Sequence, residues 1–122
     1  MNTIVASTSE KNIINQVILT GHLGKDPSLD TLSNQQKITR FSIATNQDYN
    51  NPKGERVKNT LWHNLVAWGK VAEEIHQSLK KGTLVTVEGK INYRNYTDKD
   101  GARKIFTDIV VLNFKIHPKN KN

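Results

Sequence analysis

The chain contains no cysteine. Disulfides, thiolate nucleophiles, zinc–thiolate sites and iron–sulfur clusters are therefore outside its chemistry. Long apolar runs are also missing. None approaches the ~20 residues of a transmembrane helix. The opening stretch, MNTIVASTSEKN, has neither the basic start nor the apolar run of a signal peptide. A soluble cytoplasmic protein with no membrane partner is the expectation. Apolar residues make up only 35% of the 122 residues, below the usual 45–50%, so the core should be small. A domain of that kind gains from oligomerisation. Acidic residues are the minority charge, 11 against 18 Lys and Arg, giving a net charge of +7. That balance points to an anionic partner.

Catalytic constellations are equally scarce. His22, His63, His76 and His117 lie far apart, and none has a neighbour at metal-ligand spacing, so no metal or cofactor is expected. Glu73 and Glu74 are adjacent on a predicted helix and point in different directions. Asp98 and Asp100 flank a tight turn, where Asp and Gly serve the backbone. Gly21-His22-Leu23-Gly24-Lys25-Asp26 lacks the spacer and the Ser/Thr of a phosphate loop. The residues read as a binding protein and not an enzyme.

What is present is mostly strand. Gln16–Leu23 is rich in β-branched and apolar residues and runs into a turn at Gly24–Pro27. A loop through Asn34 follows. Lys37–Asn46 alternates, with Thr39, Phe41 and Ile43 on one face and Arg40 and Ser42 on the other. Residues 47–58 form a long polar hairpin loop. Asn59–Trp68 is the next strand. Val71, Ala72, Ile75 and Leu79 then recur at helical spacing, with Gly82 as the stop. Thr83–Tyr96 and Arg103–Phe114 form a hairpin about the turn Asp98–Gly101. Three strands, one short helix and two strands is the order of an OB-fold: an all-β, five-stranded Greek-key barrel with its helix between strands three and four. The expected divisions are a flexible segment at 1–14, the barrel at 15–115 and a basic flexible tail at 116–122 that follows a mobile Lys115.

Single-strand binders combine cations that follow phosphates with rings on which bases stack. Trp62 and Trp68 are six apart on one strand, so both leave the same face, with Asn64 and Val66 between them. Leu61, His63, Leu65 and Ala67 occupy the other. The spacing alone leaves open that either tryptophan fills the core. Lys90, Asn92, Arg94 and Tyr96 form a second stripe of one parity, which is also compatible with an ordinary solvated face. Tyr49 lies in the long loop beside Lys53, Arg56 and Lys58, and its ring either stacks a base or folds back on the barrel. Eight of the basic residues and three of the acidic ones lie in 90–122, so the last third carries most of the positive charge.

The segments NQVILTGHLGKDP, TRFSIATNQDY, LWHNLVAWGKVAEEIHQSLKKGTLVTVEGKI and YRNYTDKDG resemble, in order and spacing, the bacterial single-stranded DNA-binding protein family. The resemblance covers about four-fifths of the chain. It implies an OB barrel, a homotetramer, and binding to single-stranded DNA in replication, recombination and repair, in association with the nucleoid. Carried over by position, the base-stacking rings are Tyr49, Trp62, Trp68 and Tyr96, and the backbone-contacting cations are Lys70, Lys81 and Arg94. Lys53, Arg56 and Lys90 join them as candidate DNA contacts from their place beside the rings. The resemblance puts His63 at a subunit interface. Asn64 stands where the family often has Arg, and His22 where Asn is common. The family typically continues into a linker and an acidic tip, whereas these residues end at Lys119-Asn120-Lys121-Asn122, so docking of partners through such a tip is not expected of them. An OB module devoted to protein contact in a primosome is the alternative; it would keep the barrel and lose the aromatic path, and the four rings argue against it.

Overall fold

The computed structural model describes residues 14–118; most of the expected N-terminal segment and residues 119–122 lie outside the described residues. The elements are β1 (Val17–Leu23), β2 (Asp30–Thr31), β3 (Lys37–Asn46), β4 (Tyr49–Asn50), β5 (Arg56–Val57), β6 (Thr60–Trp68), α1 (Gly69–Ser78), β7 (Leu84–Thr97) and β8 (Arg103–Ile116). Among the described residues no helix is long and apolar enough to cross a membrane.

Five long strands pair in the order β1-β7-β8-β6-β3, and β3 returns to β1 to close the barrel. The pairing of β6 with β8 is parallel; the other long pairings are antiparallel. This is the expected OB barrel, with α1 between the third and fourth long strands. Closure requires β1, still paired with β7 at His22↔Leu84, to meet β3 along its other edge at His22↔Ala44. Gly21 makes that approach possible, because a Cβ there would collide with the carbonyl oxygen of Ala44.

The two-residue period decides which side chains enter the barrel. Leu23, Phe41, Ile43, Leu65, Ala67, Val85, Val87, Ile109 and Val111 form its core. The apolar stripe of α1 caps one end with Ala72, Ile75 and, just beyond the helix, Leu79, all buried, and with Val71 partly buried. Burial of a Leu or Ile side chain contributes roughly 1.5–3 kcal/mol, so these few positions carry much of the stability of a small core. Loop 24–28 is fastened beneath the helix: the Lys81 N–H donates to Asp26 Oδ1 at 2.7 Å, and His76 Nδ1 lies 3.2 Å from the Pro27 carbonyl.

Several local features differ from the sequence reading. The loop at 47–58 is a ribbon: β4 and β5 pair at Tyr49↔Val57 and extend the β3–β6 hairpin, with Asn51 closing the tip through bonds from the N–H groups of Lys53 and Glu55. The loop before Asn34 contains β2, paired with β3. The helix ends at Ser78, with Leu79 extended as its C-cap. Gly82 (φ 89°) instead turns the chain into β7, where the Thr83 N–H donates to the Lys80 carbonyl. Strand β8 continues to Ile116, so Lys115 is a strand residue, and the His117 N–H still bonds the Leu84 carbonyl. Finally, the register jumps from Glu88↔Asn113 to Gly89↔Val111. Leu112 is the extra residue of a β-bulge, and inward parity on β8 passes from Val111 to Phe114.

Candidate nucleic-acid interface

The outer face of the barrel is built in rows. Cross-strand partners project from the same face of a sheet. On β3 and β6 the outward rows are Ala44↔Trp62, Ser42↔Asn64, Arg40↔Val66 and Ile38↔Trp68. The parallel pairing Val66↔Val110 continues this face onto β8, and Lys90↔Val110, Asn92↔Asp108, Arg94↔Phe106 and Tyr96↔Lys104 carry it onto β7. Trp62, Trp68, Lys90, Arg94 and Tyr96 therefore project from one side of the sheet, with Ile38 and Val66 buried between them.

The rings on it are not core. Trp62 is 59% exposed, Trp68 38% and Tyr96 48%, and Tyr49 on the β4–β5 ribbon is 55% exposed. Exposed rings of this size are costly in water and useful only against another flat or apolar surface. Trp62 rests on the loop after β1. A Cβ on Gly24 would lie 2.6 Å from the Trp62 ring, so this glycine is the floor on which the indole sits.

The cations fall into three groups. Lys90 and Arg94 stand on the shared face. Arg94 lies 4.7 Å over the Phe106 ring, and its Nε is 3.7 Å from Asp108 Oδ2. Asp108 is buried and also accepts from Asn92 Nδ2 at 3.5 Å. Ring and carboxylate fix the guanidinium plane at the surface, a geometry that lysine would not reproduce. Lys53 and Arg56 stand on the β4–β5 ribbon, both exposed, with Arg56 3.4 Å from Asp48. Lys70, in the first turn of α1 directly after Trp68, and Lys81, in the turn before β7, are exposed at opposite ends of the helix. His63 faces the other way. It lies on the inward side of β6, half-buried, with Nε2 2.9 Å from Thr45 Oγ1 of the same chain.

Some members of this surface escaped the sequence reading. Arg40 and Lys25 line a cleft of about 460 Å³ with Ser42 and Asn64 beside the Trp62 row. Phe106 and Asp108 were legible in principle: the turn at Asp98–Gly101 sets the hairpin register, which pairs Arg94 with Phe106 and Asn92 with Asp108. Gly24 becomes legible only once the ring above it is known. Among the described residues no three His, Cys, Asp or Glu side chains gather as a metal site.

A family model described as the single-strand binding protein family matches residues 14–117. The chain belongs to that family. Among curated relatives, the single-stranded DNA-binding protein of Neisseria meningitidis serogroup A is 43% identical over 103 residues, 84% of this chain and 59% of that protein. Single-stranded DNA-binding protein 1 of Chlorobaculum tepidum is 38% identical, covering 84% of this chain and 64% of its own length. The match to the family thus spans about three-fifths of the length of these relatives. Among solved structures, the Plasmodium falciparum SSB complex with ssDNA superposes with a TM-score of 0.80 at 25% identity, over 90% of this chain and all of that one. A deletion mutant of the single-stranded DNA binding protein from Thermus aquaticus gives 0.75 at 26% identity, over 86% of this chain and 51% of that one. The single-strand binding barrel of these structures is the fold seen here.

Proposed function

We propose that this protein binds single-stranded DNA without sequence preference and sheathes it during replication, recombination and repair. Bases stack on Tyr49, Trp62, Trp68 and Tyr96, and phosphates are neutralised by Lys53, Arg56, Lys70, Lys81, Lys90 and Arg94. The observation that carries this reading is the outward row structure: two indoles and a phenol stand exposed on one face among Lys90, Arg94 and Arg40. Every base has a stacking face, so such a surface tolerates any sequence, whereas duplex DNA hides the faces it needs. Membership of the single-strand binding family and the likeness to a complex with ssDNA support the same reading. The protein is a binder with no catalytic step, working in the cytoplasm at the nucleoid.

The working form is a homotetramer with His63 contributing to assembly. Ile18 and Leu112 on the outer face of β1 and β8 are each more than half exposed, and association would remove them from water. Native mass spectrometry reports the assembly. The binding itself is tested by titrating oligo-dT and a duplex of equal length across salt. Preference for the single strand, with log K falling against log salt by about 0.7 per phosphate neutralised, is expected. Equal affinity for both would refute the proposal.

A further inference from the structure

A second basic cleft lies away from the aromatic face. It encloses about 660 Å³ between the end of β1, the α1–β7 turn and the end of β8. His22, Lys80, Lys81, Leu84 and His117 line it, and none of the described residues lining it is acidic. We propose that this cleft is a phosphate subsite, which receives a phosphodiester of the single strand after the strand has left Trp62. The inference rests on the single-stranded DNA reading and lengthens the path that the reading requires.

Three observations carry it. The first is continuity. Trp62 pairs with Ala44, Ala44 with His22, and His22 with Leu84, while the His117 N–H bonds the Leu84 carbonyl. A single lateral row on the outer face therefore runs from the indole across the closure of the barrel to both imidazoles. Trp62 and His22 are two strand spacings apart, about 10 Å. The second is charge. Two ammonium groups and two imidazoles converge on a space that a tetrahedral oxyanion fits, and N–H donors to an oxyanion make the stronger class of hydrogen bond. The third is preorganisation. The Lys80 N–H donates to Thr83 Oγ1 at 3.1 Å, the Lys81 N–H to Asp26 Oδ1 at 2.7 Å, and the Gly82 N–H to the Leu23 carbonyl at 2.9 Å. The turn that carries both lysines is thus tied down. On the far wall, His117 Nε2 is 2.6 Å from Thr86 Oγ1, which is itself 2.7 Å from Thr20 Oγ1.

The test uses the full chain and two oligomers, dT of about 5 and of about 16 nucleotides, which bracket the site size of one OB fold. The triple variant His22→Asn, Lys80→Ala, His117→Gln touches none of the residues assigned above to stacking or phosphate contact. It should bind the long oligomer roughly ten-fold more weakly, flatten its salt slope by about 0.7, and leave the short one unchanged. An unchanged long-oligomer affinity and slope would overturn the subsite, as would an equal loss on both oligomers. Inorganic pyrophosphate at micromolar concentration separates the sources of phosphate. If pyrophosphate binds the unsubstituted chain and not the triple variant, yet leaves the affinity for the long oligomer unchanged, the ligand is a free phosphate and the strand assignment falls. Failure of the unsubstituted chain to bind either oligomer would instead overturn the single-stranded DNA reading.

Discussion

Trp62→Ala separates stacking from charge, because the substitution removes a ring and no cation. The indole is 59% exposed, so about two-fifths of its surface is buried. Taking ~250 Å² for a fully buried indole, roughly 100 Å² of contact is lost, worth at most ~2.5 kcal/mol of stability and nearer 2 kcal/mol against a realistic unfolded chain. At about 4–8 °C per kcal/mol for a domain of this size, Tm falls by roughly 10 °C and the fold survives. Binding loses one base–ring contact, ~1–3 kcal/mol, which is a drop of roughly 5- to 150-fold. The slope of log K against log salt should not move, since the number of phosphates neutralised is unchanged. Titration of oligo-dT at four salt concentrations, with circular dichroism and a thermal melt on the same samples, gives all three quantities. Loss of the folded spectrum would return the ring to the core. A flattened slope would mean that the ring positions a cation and does not stack.

Three further outcomes follow from the same surface and core. Arg94→Lys keeps the charge but gives up the Phe106 ring and the planar approach to Asp108; oligo-dT affinity should fall several-fold with an unchanged salt slope, read by the same titration. Gly24→Ala places a Cβ 2.6 Å from the Trp62 ring, and the ring must move. Affinity should drop toward that of Trp62→Ala while the melt stays near that of the unsubstituted chain, and tryptophan emission should shift. Ile75→Ala empties a fully buried position under the barrel; urea denaturation should report a loss of about 2–5 kcal/mol, with oligo-dT affinity of the folded protein unchanged at low temperature.

Features that depend on one strand alone are legible in the residues, and features that depend on two strands are legible only where a turn fixes the register between them. Trp62 and Trp68 share a face because six is even, and their own strand settles that. Whether the face looks into the barrel or out of it depends on Leu65 and Ala67, whose burial beside Phe41 and Ile43 needs β3. Arg94 was found from the parity of β7, yet its partners Phe106 and Asp108 lie across a hairpin whose register the Asp98–Gly101 turn imposes. The bulge at Leu112 shows the limit of parity. One additional residue moves inward-facing positions from Val111 to Phe114, and nothing in VVLNF marks where the extra residue sits. The long polar stretch at 47–58 misled for a related reason. Its Pro, Gly and Asn content is that of a loop, but Asn51 closes a tip and lets Tyr49 pair with Val57, so the ring stands on an ordered ribbon.

The most distant juxtaposition is the one that lengthens the DNA path. His22 reads as a residue of the first strand, far in sequence from the other histidines, and His117 as part of a tail. They become neighbours of one cleft only because β1, paired with β7 as far as His22↔Leu84, also meets β3 at His22↔Ala44, and because β8 runs on to Ile116. The same contact with β3 lays His22 in the row of Trp62. A barrel closed at another residue would keep every ring and every cation of this sequence and still break that row. The closing glycine therefore bears on function as well as fold: Gly21, which touches no ligand in this scheme, decides whether the aromatic face and the basic cleft form one path or two.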